Sequence, residues 1–454
     1  QESRGLGDVY KRQVHPCPYV SNFYNIKVNS ALGGRMNYFE YKNGELYCER
    51  VPIRRIAEQV GTPFYLYSYR TLVRHFKVFD EAFEGIPHLV CYSMKANSNL
   101  AIIRLFINLG GGVDIVSGGE LYRALRAGVD PQKVVFSGVG KKEEEVEYAL
   151  QTGILMFNVE SLMELHAIDG VAGRLGKKAP VSIRVNPDID AKTHPYITTG
   201  LKQNKFGIDI LRAPMAYRLA SELPNLKVVG IDCHLGSQLV DVEPFVEALK
   251  RLKDLVDELR REGMEIRYLD LGGGLGITYN DEEPPHPYEY ASNILDEIRS
   301  FDCTLILEPG RVIVGNAGIL VTQVLYTKEN EEKRFVIVDA AMNDLVRPSY
   351  YGSFHQILPV QKEPREEVVV DVVGPVCESA DFLAKGRKIP KPNPGELLAV
   401  MSAGAYGFSM ATNYNSRPRV AEVLVRDDEI HVIRRREVYE DLVRGEEIPE
   451  FLRS

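Results

Sequence analysis

The sequence predicts an α/β segment followed by an all-β one: a TIM (β/α)8 barrel, then a β-barrel or β-sandwich domain. Two patterns predict it. Between residues 88 and 311 eight short, β-branched runs alternate with segments of helical periodicity, and after residue 314 the helical periodicity largely stops. Eight βα units in about 250 residues is the usual extent of such a barrel. A doubly wound sheet is the rival. It favours a GxGxxG turn after its first strand, whereas "GGGLGI" falls late and has Ile277 where the last glycine belongs.

The barrel strands are read in order. "HLVCYSMKA" (88–96), "GVDIVS" (112–117), "KVVFSG" (133–138) and "LMFNVE" (155–160) form the first half. "VSIRVNP" (181–187), "VGIDCHLGS" (229–237), "IRYLDLGGG" (266–274) and "TLILEPGR" (304–311) form the second. Short apolar runs of this kind suit strands buried on both faces. The segments between them are amphipathic. In "EPFVEALKRLKDLVDELRREG", Phe245, Leu249, Leu252, Val256 and Leu259 make one apolar stripe, and Gly263 supplies the stop.

Downstream, "AGILVTQVLYTKEN", "KRFVIVDAAMN", "EEVVVDVVGPVCE", "GELLAVMSAGAYG" and "RVAEVLVRDDEIHVIRR" read as strands between polar turns. "KENEEKR" and "AKGRKIPKPNPGE" read as solvated connections. "YFEYKNGELYCE" reads as a hairpin about Asn43-Gly44, expected to pair with the later domain. The chain thus divides into N-terminal strands (36–62), a barrel (63–314) and a β-domain (315–454). Residues 1–35 carry no periodicity and are expected to be upstream read-through, with Met36 as the start.

Hydrophobic residues make up 44% and charged residues 26% of 454, ordinary for a globular protein, and the length suits two domains. A net charge of −8 without a basic patch argues against a nucleic-acid partner. The longest apolar run, around "VIVGNAGILV", is far short of a membrane span, and "QESRGLGDVYKRQ" lacks the apolar core of a secretory leader. A cytoplasmic protein is expected. Cys17, Cys48, Cys91, Cys233, Cys303 and Cys377 show no CxxC pair or metal-ligand spacing, which predicts free thiols and no metal site.

A barrel's chemistry sits at the carboxyl ends of its strands. Those ends carry Lys95; Asp114 and Ser117; Ser137; Asn158 and Glu160; Arg184 and Asn186; His234 and Ser237; Gly272 to Gly274; Glu308 and Arg311. A single strand-end lysine is ordinarily a solvated flank, and a single histidine a structural residue. Two ends say more. The loops after strands seven and eight commonly bind phosphate. Here strand seven ends in three glycines, whose bare backbone lets N–H groups approach phosphate oxygens, and strand eight ends in "EPGR". A tight turn explains the glycines but not their position. A lysine opposite a phosphate cradle suits a ligand with both a phosphate and an aldehyde, and pyridoxal phosphate is one. Such a role accounts for an apolar strand that runs into Lys95, a residue costly to bury.

Seven motifs carry a family resemblance that runs from about Met36 to near the C-terminus. "YSMKAN", "HLGSQ", "LDLGGGLGI", "EPGR", "AMNDLVRPSYY", "GPVCESAD" and "GAYGFSMATNYNSRPR" together resemble the diaminopimelate decarboxylases. These are fold-type III pyridoxal phosphate enzymes with an alanine-racemase-like barrel followed by a β-domain. The resemblance implies conversion of meso-2,6-diaminopimelate to L-lysine and CO2, the last step of lysine biosynthesis, in a homodimer with shared active sites. It implies Lys95 as the cofactor lysine, His234 on the pyridine face, Gly274 with Ser237 at the phosphate, and Glu308 at the pyridinium nitrogen. Arg311, Arg347 and Tyr351 resemble the grip on the substrate's distal carboxylate, with Arg311 also reaching the cofactor. Glu378 resembles the partner of the distal ammonium, and Tyr406 a contact to both cofactor and substrate. Cys377 matches the family's proton donor, which reaches the site from the other subunit.

The residue types suit that chemistry. A guanidinium fork binds a carboxylate bidentately, and a thiol can protonate a carbanion. The nearest alternative is a decarboxylase of ornithine, arginine or carboxynorspermidine. Ornithine-type relatives carry an acid near the position of Arg347, because their substrate ends in a bare ammonium. An amino-acid racemase fits "GPVCESAD" and "NYNSRPR" less well. A non-catalytic regulatory homologue typically loses the cofactor lysine or the cysteine, and both are kept here.

Overall fold

The computed structural model describes residues 37–189 and 205–453. The expectation for residues 1–35 lies outside the described residues. β1 (Phe39–Lys42) and β2 (Glu45–Cys48) form a hairpin whose two turn residues, Asn43 and Gly44, both have positive φ. β3 (Val51–Pro52) completes a three-stranded ribbon, and a helix over Ile53–Val60 follows where only strands were expected. Leu46 N donates to Val360 O at 2.8 Å, which ties the ribbon to the later sheet. β4 (Phe64–Ser68) is buried along its whole length.

The barrel strands follow as read. They are β5 (His88–Ser93), β6 (Gly112–Ile115), β7 (Val134–Phe136), β8 (Met156–Val159) and β9 (Ala179–Asn186) in the first part. A two-residue strand, β10 (Ile208–Asp209), lies parallel to the end of β9. β11 (Leu226–Asp232), β12 (Tyr268–Asp270) and β13 (Thr304–Leu307) complete the set, and β13 pairs in parallel with β5 to close the ring. The helix Glu243–Arg261 buries its predicted stripe, and Gly263 beyond it has φ +88°. Inside the barrel, Cys91, Val135, Met156, Val229 and Ile306 form a small apolar cluster drawn from five strands. Toward the carboxyl ends the buried side chains turn polar, with Asp114, Asn158, Ser182, Asp232, Asp270 and Glu308.

The second sheet holds β14 (Gly318–Glu329), β15 (Arg334–Val338), β16 (Ile357–Pro359), β17 (Glu367–Val373), β18 (Phe382–Pro390), β19 (Leu397–Val400), β20 (Ala421–Arg426) and β21 (Glu429–Arg434). β14 pairs with β4 and β19 along its first half and with β15 along its second, so these strands form one connected sheet. Two expectations are corrected. β18 occupies most of the stretch read as a solvated connection. It is an edge strand, where Lys385 and Lys388 face water and oppose further pairing. β4, placed in the barrel segment by the boundary at residue 63, pairs instead with β14 and β20. An apolar strand carries no local mark of the sheet it joins. Among the described residues no helix is long and apolar enough to cross a membrane.

The barrel and the sheet meet at a buried acid. Glu422 on β20, with no exposed surface, accepts from Tyr67 Oη on β4 at 2.8 Å, from Asn99 Nδ2 at 2.8 Å and from Arg434 Nε on β21 at 2.5 Å. Asn99 in turn caps the first barrel helix, Leu100–Asn108, by accepting from Ala101 N at 3.0 Å. Glu422→Ala leaves an arginine and two further donors at this seam without their acceptor. A loss of about 3–5 kcal/mol in unfolding free energy is expected, measured by urea denaturation, with Glu422→Gln losing less.

Candidate active site

A cavity of about 460 Å³ opens at the carboxyl ends of the barrel strands, and loops of the sheet domain complete its wall. Nine of the eleven predicted site residues line it. Lys95, His234, Ser237, Gly274, Glu308 and Arg311 come from the barrel, and Arg347, Tyr351 and Tyr406 from the sheet domain. Cys377 and Glu378 do not. They sit exposed on the turn between β17 and β18, where Cys377 N donates to Asn415 Oδ1 at 2.7 Å.

Lys95 lies two residues past β5. Its Nζ is 3.0 Å from Asp114 Oδ2, an oxygen that also accepts from Ser93 Oγ at 2.6 Å. The lysine side chain keeps 35% of its surface open, so the amine is reachable from the cavity. Burial pushes the ammonium down, but the Asp114 and Glu308 carboxyls outweigh it and hold Lys95 above the ordinary lysine range. Glu308 is shifted upward as well. Burial, reinforced by Asp114, Asp270 and Asp232, holds its carboxyl well above the usual range, and burial pushes Asp270 up to about 6. Glu308 Oε1 accepts from Ser137 Oγ at 3.2 Å, while Arg184, the buried cation of the neighbouring strands, pairs with Glu160 at 3.0 Å. Glu308 is thus a buried acid for which a bound cation would be the natural partner.

The opposite wall is built for anions. Arg311, nearly buried, donates from Nη1 to Tyr279 Oη at 2.6 Å and from Nη2 to Ser237 Oγ at 3.0 Å, and its buried Nε has no partner. Arg347, also buried, donates from Nη2 to Ser353 Oγ at 3.1 Å and from Nε to His355 Nε2 at 3.4 Å. Among the described residues neither guanidinium has a carboxylate within ion-pair distance. Beside Arg311, Gly274 has φ +114°, and a Cβ there would come within 2.6 Å of Gly236 O. A Cβ on Gly273 would meet Glu308 O at 2.2 Å. The glycines therefore bring bare backbone to the cavity wall where side chains cannot fit.

His234 faces this cradle. Its Nδ1 accepts from Gly273 N at 3.1 Å, and burial, with Arg184 and Lys95 adding, pushes its pKa well below the ordinary range. The ring is a neutral imidazole presented to the cavity. Other strand ends serve the frame. Ser117 caps a helix by accepting from Glu120 N, and Asn158 Nδ2 donates to Ser137 Oγ at 3.1 Å and Asp270 Oδ2 at 3.0 Å. Tyr279, His355, Asp232 and Asp270 escaped the sequence reading. The two aspartates end β11 and β12, a position that could have marked them; Tyr279 and His355 lie in loops without periodicity.

Comparison with known proteins agrees with this geometry. A family model described as "Pyridoxal-dependent decarboxylase, pyridoxal binding domain" matches residues 69–315. The chain is 55% identical over 404 residues to a diaminopimelate decarboxylase of Vibrio cholerae, covering 88% of this chain and 97% of that protein. It is similar to a crystal structure of the Helicobacter pylori diaminopimelate decarboxylase complexed with L-lysine, with TM-score 0.84, 48% identity, and coverage of 86% and 98% of the two chains. It is also similar to the enzyme of that name from M. jannaschii in co-complex with L-lysine, with TM-score 0.87, 40% identity, and coverage of 91% and 98%.

Asp114 stabilises the charged form of Lys95, so its removal must lower the lysine's pKa. In ligand-free Asp114→Asn, the pH midpoint for modification of Lys95 by trinitrobenzenesulfonate is expected to fall. Peptide mapping of the modified lysine across a pH series checks this. An unchanged midpoint would show that the 3.0 Å pair does not govern the amine.

Proposed function

The chain belongs to the diaminopimelate decarboxylase family of pyridoxal-dependent decarboxylases, and from that premise we propose how its own residues divide the reaction. The activity is the decarboxylation of meso-2,6-diaminopimelate to L-lysine and CO2, with pyridoxal phosphate as cofactor. The cavity fits that cofactor. Gly274, Ser237 and Arg311 offer bare backbone, a hydroxyl and an uncompensated cation to a phosphate, and Glu308 offers a buried acid to a ring cation. When bound, pyridoxal phosphate supplies an aldehyde for amines and an electron-withdrawing ring.

Lys95 holds the cofactor through its amine, which must first lose its proton; Asp114 Oδ2 is the nearest acceptor. Neutral His234 covers the ring without adding a second positive charge. One observation carries the choice of substrate: Arg347 is buried in the same cavity as Lys95, with no carboxylate against it among the described residues. A substrate ending in a carboxylate completes a charge-assisted pair there, whereas one ending in a bare ammonium meets a like charge. Tyr351 and Tyr406 flank the two arginines, with the Arg347 guanidinium 5.9 Å from the Tyr351 ring and that of Arg311 4.9 Å from the Tyr406 ring.

Cys377 and Glu378 serve a second copy of the chain. Their exposure outside their own cavity supports this reading, as does the family resemblance of "GPVCESAD". In a cytoplasmic homodimer with shared sites, Glu378 meets the distal ammonium. The Cys377 thiol gives the proton that forms a C–H bond where the C–C bond to CO2 has broken.

Incubated separately with meso-diaminopimelate, L-ornithine and L-lysine, the protein is expected to release CO2 from the first alone. Borohydride should fix the cofactor to the peptide containing Lys95. A label on another lysine, or turnover of ornithine, overturns the assignment.

Subunit mixing tests the shared site. Lys95→Ala and Cys377→Ala, each inactive, should together regain up to roughly a quarter of the wild-type activity, because random pairing restores one site in each mixed dimer. No recovery, with exchange demonstrated, assigns Cys377 to its own barrel or to no catalytic role.

A further inference from the structure

Arg347 is held in an unusual way for a buried cation. Its helix, Arg347–Tyr351, ends at Gly352, whose φ of +62° turns the chain back over the arginine. The return places Ser353 Oγ at 3.1 Å from Nη2 and His355 Nε2 at 3.4 Å from Nε. His355 has no exposed surface, its Nδ1 lies 2.9 Å from Met401 O, and its ring meets Tyr279 edge-on at 5.3 Å.

These contacts decide the tautomer. A carbonyl oxygen can only accept, so Nδ1 carries the hydrogen, and Nε2 is left with the lone pair that faces the Arg347 N–H. Burial, with Arg347 adding, pushes the His355 pKa down to about 3, so the imidazole stays a neutral acceptor throughout the neutral range. The choice of a neutral group has a consequence. An aspartate or glutamate in its place would orient the guanidinium equally well but would cancel its charge, and the cavity would lose its attraction for a carboxylate.

We infer that His355 is the positioning residue for substrate specificity: it orients the Arg347 fork toward the distal carboxylate while leaving its charge unspent. This rests on Arg347 being the carboxylate grip, so the test separates the two claims. In cofactor-loaded protein, cofactor absorbance is titrated with L-lysine, which carries the distal carboxylate, and with 1,5-diaminopentane, which lacks it. Steady-state KM and kcat for meso-diaminopimelate and the thermal midpoint are measured alongside.

His355→Leu is expected to raise the L-lysine half-saturation and the KM about tenfold or more, the loss of one oriented charge-assisted contact, with diaminopentane binding unchanged. His355→Gln offers an acceptor and a donor on one amide and should stay within about threefold of wild type. His355→Glu, isosteric with the Gln variant, should match Arg347→Ala, with lysine binding lost and diaminopentane binding kept. The comparison of Gln with Glu decides the matter even where Leu fails to fold. If Arg347→Ala abolishes lysine binding but Glu and Gln bind lysine as wild type does, the inference falls and the grip stands. If Arg347→Ala binds lysine normally, the grip itself is refuted and the inference with it. Equal loss of both ligands and of thermal midpoint in Gln and Glu also overturns it, since His355 then only fills space.

Discussion

Two buried guanidinium groups that have no carboxylate partner among the described residues set the terms for the rest of this molecule. A buried charge is tolerated when it is paired or fully hydrogen-bonded. Arg311 and Arg347 are instead held by a phenol, two hydroxyls and an imidazole, all uncharged, with the Tyr279 ring 5.7 Å from one guanidinium and 5.1 Å from the other. Their orientation is fixed by the protein, and their charge is left for a ligand. Both sit in one wall of one cavity, so the ligand that satisfies them must bring two anionic ends, or two anionic ligands must bind side by side. A phosphate-bearing cofactor and a carboxylate-bearing substrate meet that requirement.

The other wall carries the complementary excess. Asp114, Asp232, Asp270 and Glu308 crowd the polar end of the barrel, and from among them Lys95 and Glu308 line the cavity. Burial, reinforced by repulsion between the acids, holds the carboxyls of Glu308 and Asp232 well above their usual range, while the charges of Asp114 and Glu308 hold Lys95 above its own. A cationic ligand group held at Glu308 would offset the first effect, and Asp114 pairs with the Lys95 ammonium at 3.0 Å. The apolar cluster around Met156 lies within the same ring of strands, so this charge is confined to the cavity end. The resulting asymmetry, acids on one side and arginines on the other, orients a ligand before any close contact is made.

The barrel was legible because parallel strands buried on both faces read as continuous apolar runs, and the polar residue that ends each run marks the functional rim. Lys95, His234, Gly274, Glu308 and Arg311 were among the strand-end residues that position marked, and the family resemblance singled out their roles. Arg347, Tyr351 and Tyr406 lie outside the barrel and came only from the motifs that contain them. β4 was misplaced because "FYLYS" is apolar enough for either sheet, and its partners, β14 and β20, lie more than 250 residues away in sequence. β18 was missed because its lysines and arginine suit an edge strand as well as a loop. His355 and Tyr279 stayed hidden for a different reason. Their roles depend on how two loops fold back on the arginines, and neither loop carries a periodic pattern.

Lys95 belongs to the barrel and Arg347 to the sheet domain, so the spacing between the Lys95 amine and the Arg347 guanidinium is a property of the seam. Three features set it. β4 enters the sheet directly before the first barrel elements, Glu422 ties β4 and β21 to the cap of the helix that follows Lys95, and Tyr406 N donates to Ala96 O at 2.8 Å, one residue beyond the lysine. Tyr406 makes that bond with φ +54°, a conformation that a non-glycine residue keeps only when its surroundings dictate it. Its ring lies over Arg311 at 4.9 Å, so a single residue touches the lysine's strand end and an arginine of the anion wall. The bonded seam between the domains sets the distance from Lys95 to Arg347, so the buried Glu422 and the left-handed Tyr406 act on the same distance.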